Sequence, residues 1–222
     1  MSVDRISILG NAYIGALATA TDSFFLLGKG ASDNEQKGIA RALGVGCARI
    51  SVAGSDLIGI YAVANSKGVL LPYGTEDLEL EAVRKALPNI RVEIFRTEYN
   101  ALKNNILAND SIAVINPAYN REEEEFIAKV LGVRTARKHI AGFGTVGATN
   151  ILTNKGMIIN NRASEEERRE LEGLIGVGSE QSTANLGSVY VGLCAIANSN
   201  GVVAGGETTG FELAHIADGL GF

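Results

Sequence analysis

Helix-start signals recur along this chain at Ser32, Thr75, Asn120, Ser164 and Thr209, with spacings of 43, 45, 44 and 45 residues. A period of that length restricts the fold to repeat architectures, because a unit so small cannot bury a core alone. Each of the five residues can accept a hydrogen bond from the free N–H groups of a helix's first turn. Four carry Glu three positions later, at Glu35, Glu123, Glu167 and Glu212, which is the reciprocal capping-box arrangement. Upstream of each start lies a hairpin-like segment, clearest as Ile58–Ala64, then Asn65-Ser66-Lys67-Gly68, then Val69–Leu71. The counterparts turn at Thr21-Asp22-Ser23, Asn109-Asp110-Ser111, Asn154-Lys155-Gly156 and Asn198–Gly201. Asn, Asp and Gly tolerate the left-handed backbone that tight hairpins demand.

Ahead of each hairpin comes a third short β-prone run: Val3–Ile8, Cys47–Val52, Ile90–Phe95, Val133–Lys138 and Gly178–Thr183, the last with the weakest strand character. The chain therefore reads as an α/β protein of five β-β-β-α units, near 1–44, 45–88, 89–132, 133–176 and 177–222, packed as a single domain. Open solenoids end in atypical polar caps, yet the first and last units match the pattern as well as the middle ones. The first hairpin strand is rich in small residues, among them Gly15, Ala16, Gly59, Ala62, Gly147, Ala148, Gly192 and Ala195. Small side chains there allow five strands to meet at a common axis. The expected shape is a closed five-fold ring, strands inside and helices outside, with helices near Glu122–Leu131 and Glu165–Ile175 turning acidic first turns to water.

A formal charge of −5 argues against holding nucleic acid mainly through phosphates, which needs a basic footprint. No stretch approaches the roughly 18 apolar residues of a membrane span, and the start Met1–Arg5 has no signal run. The expectation is a cytoplasmic protein with no membrane partner. Gly142-Phe143-Gly144-Thr145-Val146-Gly147 spells GxGxxG, but its third glycine leads into a strand by the repeat register rather than into a phosphate-binding helix. The runs Glu122–Glu125 and Glu165–Glu167 sit in helix first turns, where carboxylates are solvated and favoured by the helix dipole. Neither metal nor cofactor is expected.

In order along the chain, Ile58-Gly59-Ile60, Asn65–Pro72, Ala86-Leu87-Pro88, Ala101-Leu102-Lys103-Asn104, Asn109-Asp110, Asn116-Pro117, Val130–Val133 and Gly206–Thr209 with Glu212-Leu213 form a specific combination. On these segments the chain resembles the translation initiation factor 6 family over essentially its full length. The resemblance implies the pentein fold, five pseudo-equivalent units around an axis. It also implies a non-enzymatic role that needs no cofactor: binding the intersubunit face of the large ribosomal subunit near the sarcin–ricin loop and its neighbouring ribosomal proteins, and excluding the small subunit. Ending at Phe222, the chain looks like the archaeal form, since eukaryotic members carry a further C-terminal tail. A monomer off the ribosome is expected.

The column Leu17, Tyr61, Asn104, Thr149 and Cys194 is mostly small or apolar, so Asn104 with Asn105 breaks the pattern of unit three. Departures of this kind are where function is expected; the alternative is an amide satisfied by neighbouring backbone. By resemblance Asn104 and Asn65 match ribosome-contacting positions. Eukaryotic members follow the latter with Arg, whereas here Ser66 intervenes and Lys67 comes next, so the basic contact has moved by one residue or is absent. The rival reading is enzymatic, because the pentein fold also hosts guanidine-modifying hydrolases with a Cys nucleophile and a His. Cys194 and His139 are the parts for it, with Cys47 and His215 less placed. Cys194 lies in the apolar run Leu193–Ile196, which favours a core thiol.

Overall fold

The computed structural model describes residues 2–222. Unit one comprises β1 (Ser2–Ile6), α1 (Ile14–Leu17), β2 (Ala18–Ala20), β3 (Phe24–Gly28) and α2 (Asp33–Leu43). Unit two repeats this as β4 (Gly46–Ile50), α3 (Ile58–Tyr61), β5 (Val63–Ala64), β6 (Gly68–Pro72) and α4 (Asp77–Ala86). Unit three contains β7 (Arg91–Phe95), α5 (Leu102–Asn105), β8 (Ile106–Ala108), β9 (Ile112–Ile115) and α6 (Arg121–Leu131). Unit four runs through β10 (Arg134–Arg137), α7 (Val146–Thr149), β11 (Ile151–Leu152), β12 (Gly156–Asn160) and α8 (Glu165–Ile175). Unit five holds β13 (Gly178–Ser182), α9 (Val191–Cys194), β14 (Ala195–Ala197), β15 (Gly201–Gly205) and α10 (Gly210–Gly219).

The long helices start where side chains can cap them. Ser32, Asn120, Ser164 and Thr209 accept the N–H of Glu35, Glu123, Glu167 and Glu212. In unit two the expected cap is off by one residue. Glu76 takes the cap position, with its N–H donated to Glu79 at 3.0 Å, while Thr75 is buried and its hydroxyl unpartnered. Left-handed Gly44, Gly132 and Gly176 stop α2, α6 and α8, since only glycine adopts that backbone without steric cost.

Each hairpin pairs antiparallel and takes its third strand, in parallel, from the following unit: β2-β3-β4, β5-β6-β7, β8-β9-β10 and β11-β12-β13. The fifth sheet is β14-β15-β1, with Ser2 opposite Gly201 and Ile6 opposite Gly205. The first strand of the chain thus completes the last unit, and the ring closes as five separate sheets. The middle strands β3, β6, β9, β12 and β15 are buried along their whole length. Covered on both faces, they read as continuous apolar runs such as Phe24–Leu27 rather than as alternating patterns. Each fully buried Phe, Leu or Ile here contributes about 1.5–3 kcal/mol.

The first hairpin strand is shorter than the sequence suggests. Its opening residues coil into one helical turn in every unit (α1, α3, α5, α7 and α9), and these turns touch in ring order around the axis. The physical reason is crowding. A Cβ added to Gly59 would lie 1.9 Å from the Gly15 carbonyl oxygen, and one on Gly192 would lie 2.1 Å from that of Gly147. Small residues do let the units meet at the axis, as expected, but as helical turns rather than extended strands. In the GxGxxG segment, Gly142 sits in a left-handed turn, and a Cβ on Gly147 would meet the Lys103 carbonyl oxygen at 1.9 Å. A four-residue turn begins there rather than the strand expected, and its glycine serves packing.

Candidate functional site

The axis has two chemically different ends. At one end the hairpin turns form a hydrogen-bonded belt. Asn65 Nδ2 donates to the carbonyls of Asn109 and Leu131, and its Oδ1 accepts the N–H groups of Lys67 and Gly68. Asn109 makes the same reach to the Thr153 carbonyl, and Asn198 to those of Thr21 and Leu43. Asn154 Nδ2 joins the carboxylates of Asp22 and Asp110 at 2.8 and 2.7 Å.

The other end carries the loops that lead into the one-turn helices. In four units the loop turns through left-handed residues: Leu9-Gly10, Ala53-Gly54, Ala141-Gly142 and Asn185–Gly187. The Glu at the third helical position of the same unit binds the turn: Glu35 accepts Leu9 N–H, Glu79 accepts Ala53 and Gly54, and Glu212 accepts Gly187, while Glu167 accepts Ala141 and, unlike the expected capping box, makes no return bond to Ser164. Burial alone would raise the Glu212 carboxyl. Donors from Thr209, Thr183 and Gly187 outweigh it and hold the group below the usual carboxylate range.

Exposed apolar side chains collect at this end. Tyr13, Leu57 and Tyr190 occupy one pseudo-equivalent position, immediately before α1, α3 and α9, and all three are exposed. Leu9 and Leu186 stand on the turn tips, 54% and 73% exposed, with φ of 53° and 63°. Both leucines thus sit in a left-handed backbone that strains a bulky residue, with their side chains turned to solvent.

Unit three departs from the others at three places. Its loop, Arg96–Asn100, contains no left-handed residue, and Glu123 accepts only the Asn120 N–H. A groove of about 580 Å³ opens there between Tyr73, Arg96, Tyr99, Asn120 and Glu123, with the Arg96 guanidinium 4.8 Å from the Tyr73 ring centroid. At the axis, Lys103 occupies the position that is Gly15, Gly59, Gly147 and Gly192 elsewhere. Next to it, Asn104 stands where the other units have Ala16, Ile60, Ala148 and Leu193. The eIF-6 family model matches residues 3–219 of the sequence so arranged.

The chain belongs to the eIF-6 family. It is 38% identical to translation initiation factor 6 of Pyrococcus horikoshii over 226 residues, covering all of both chains. Against the Pyrococcus abyssi factor the identity is 37%, with 100% of this chain and 99% of the relative covered. The factor of Saccharolobus islandicus is 35% identical over the whole of both. This is a translation initiation factor family and not a family of enzymes.

Within this eIF-6 fold, the residues singled out from sequence separate. Asn104 lies in α5 at the loop end, half-buried, and the fold gives its Oδ1 no hydrogen-bond donor. Asn65 and Lys67 lie at the far end of the short strands, on the turn after β5. Asn65 is 2% exposed and its amide is fully used inside the protein, whereas Lys67 is exposed and reaches the carbonyls of Asp110 and Gly132. The repeat column also shifts: Asn105, not Asn104, aligns with Leu17, Tyr61, Thr149 and Cys194. Asn105 is buried, donating to the Ala101 carbonyl and accepting from Asn116. Sequence spacing missed Lys103, because a one-residue slip in unit three hid its glycine column.

The parts considered for catalysis are not presented as a nucleophile and base. Cys194 is fully buried, and burial pushes its thiol up to about 11. Burial does the same to Cys47 against the opposing pull of Arg49. His139 is exposed on the loop after β10 and is not among the groups that act on the Cys194 thiol. A thiol held in its neutral form is a poor nucleophile. Among the described residues no helix is long and apolar enough to cross a membrane.

Proposed function

We propose that this protein binds the large ribosomal subunit on its intersubunit face, near the sarcin–ricin loop, and keeps the small subunit from joining. It does so as a single domain over 1–222, as a monomer off the ribosome, in the cytoplasm and without catalysis. Full-length membership of the translation initiation factor 6 family carries this reading. The loop end supports it with an exposed apolar collar and an amide, Asn104, that the fold itself does not satisfy. The charge of −5 favours contacts with ribosomal proteins over rRNA phosphates. Asn104 is the principal contact. Lys67 is a second one, with Asn65 acting through the turn it shapes.

The test is co-sedimentation with purified archaeal large subunits at physiological salt, followed by addition of small subunits. Stoichiometric binding to large subunits alone, with fewer joined ribosomes on a sucrose gradient, is the expected result. Binding to small subunits, or normal joining with the factor bound, would overturn the proposal.

A further inference from the structure

Lys103 is the exception in a ring otherwise built of glycine, and its side chain has to go somewhere. It lines a cavity of about 40 Å³ on the axis, walled by the inner strands at Ala18, Ala64, Leu107, Ile151 and Ala195. Among the described residues that line this cavity none is acidic. The inner strands β2, β5, β8, β11 and β14 carry no titratable side chain, and the one-turn helices add only Tyr61 and Cys194, neither lining it. Asp22 and Asp110 stand one layer further along the axis, at the turn-end mouth. Their carboxylates are already occupied by Asn154 and by the N–H groups of Ser199 and Ser66. Lys103 itself is half-buried, its ammonium has no hydrogen-bond or ion-pair partner among the described residues, and the packing around it pushes the group down to about 8.

We propose that the axial cavity is a binding site for one small monovalent anion, chloride, held against the Lys103 ammonium. An unpaired charge in low dielectric is costly, and the protein supplies no counter-charge where this one sits. Thr19 lines the same wall and brings a hydroxyl donor. The volume holds roughly two or three water-sized centres, enough for a halide and too little for sulfate or phosphate. Charge balance then ties the anion to the proton: chloride binds the protonated amine and leaves as pH rises through the folded-state value.

The experiment uses the intact protein and its Lys103→Gly and Lys103→Met variants. Thermal melts at pH 6.5 are compared in chloride and gluconate at constant ionic strength, alongside chloride-35 NMR line widths. A Kd of about 5 mM would raise the wild-type Tm by roughly 4–8 °C at 200 mM chloride. Both variants should lose that rise and the wild-type line broadening, and both effects should fade by pH 10. Equal responses in wild type and variants would overturn the proposal, as would wild-type protein that leaves the chloride line unbroadened. Should Lys103→Gly not fold, displacement of chloride by bromide in wild type, read in the same line width, decides: no displacement refutes the site.

Discussion

The Asn65 amide donates to the carbonyl oxygen of Asn109, 3.1 Å away and 44 residues further along the chain. That separation is the repeat length, so the bond ties equivalent points of adjacent units. The same bond joins Asn109 to Thr153, again across 44 residues, and Asn198 to Thr21 across the closure. Asn65→Ala would strand two buried carbonyls and the N–H groups of Lys67 and Gly68. The expected loss is about 3 kcal/mol in urea unfolding, with little change in large-subunit affinity once the folded fraction is accounted for. A loss under about 0.5 kcal/mol would mean the belt contributes nothing.

Removing the first six residues should open the ring. It deletes the strand paired with β15 and the Arg5 guanidinium that donates to the Thr208 carbonyl at 2.9 Å. Several kcal/mol should go with it, on the order of half the stability of an ordinary domain. An unchanged melting temperature would show that closure through β1 does not matter.

In chloride-free buffer Lys103 should make stability rise with pH between about 8 and 9, above which the raised thiols of Cys47 and Cys194 pull in the opposite direction. Lys103 titrates at about 8 when folded and 10.5 when unfolded. The unfolded chain therefore holds this proton more tightly across that window, and the contribution of Lys103 to stability increases with pH there. The cost of desolvating the half-buried ammonium is fully present below pH 8 and relieved as pH approaches 10.5, by at most about 3 kcal/mol. Lys103→Gly, which restores the ring residue of the other units, should flatten this part of the profile. Urea midpoints measured from pH 7 to 9, and the difference between wild type and Lys103→Gly from there to pH 10.5, check it.

Asn104 and Asn105 should separate function from stability. The fold does not satisfy Asn104 Oδ1, so Asn104→Ala should melt no earlier than wild type while weakening large-subunit binding on the order of ten-fold. Asn105→Ala removes the bonds to Ala101 and Asn116 and should destabilise by about 1–3 kcal/mol without a direct effect on binding. Melts and co-sedimentation of both variants read this out. The opposite pattern would move the contact to Asn105.

How much of this was legible in the chain depends on the range of each interaction. Caps such as Ser32 with Glu35, turn residues such as Asn109 and Asn198, and apolar runs such as Phe24–Leu27 act over a few residues. Their recurrence was enough to determine five units, their order and the pairing of the first strand with the last unit. Tertiary structure alone decided which residues reach the axis. The small-residue segments coil because neighbouring units press on Gly15 and Gly59, and Lys103 becomes axial because its ring partners are glycines. Asn65 likewise looks like a free turn amide until its partner, 44 residues away, is brought to 3.1 Å. Hydrogen-bond partners and burial at such positions are set by closure of the ring, and a local pattern carries no record of it.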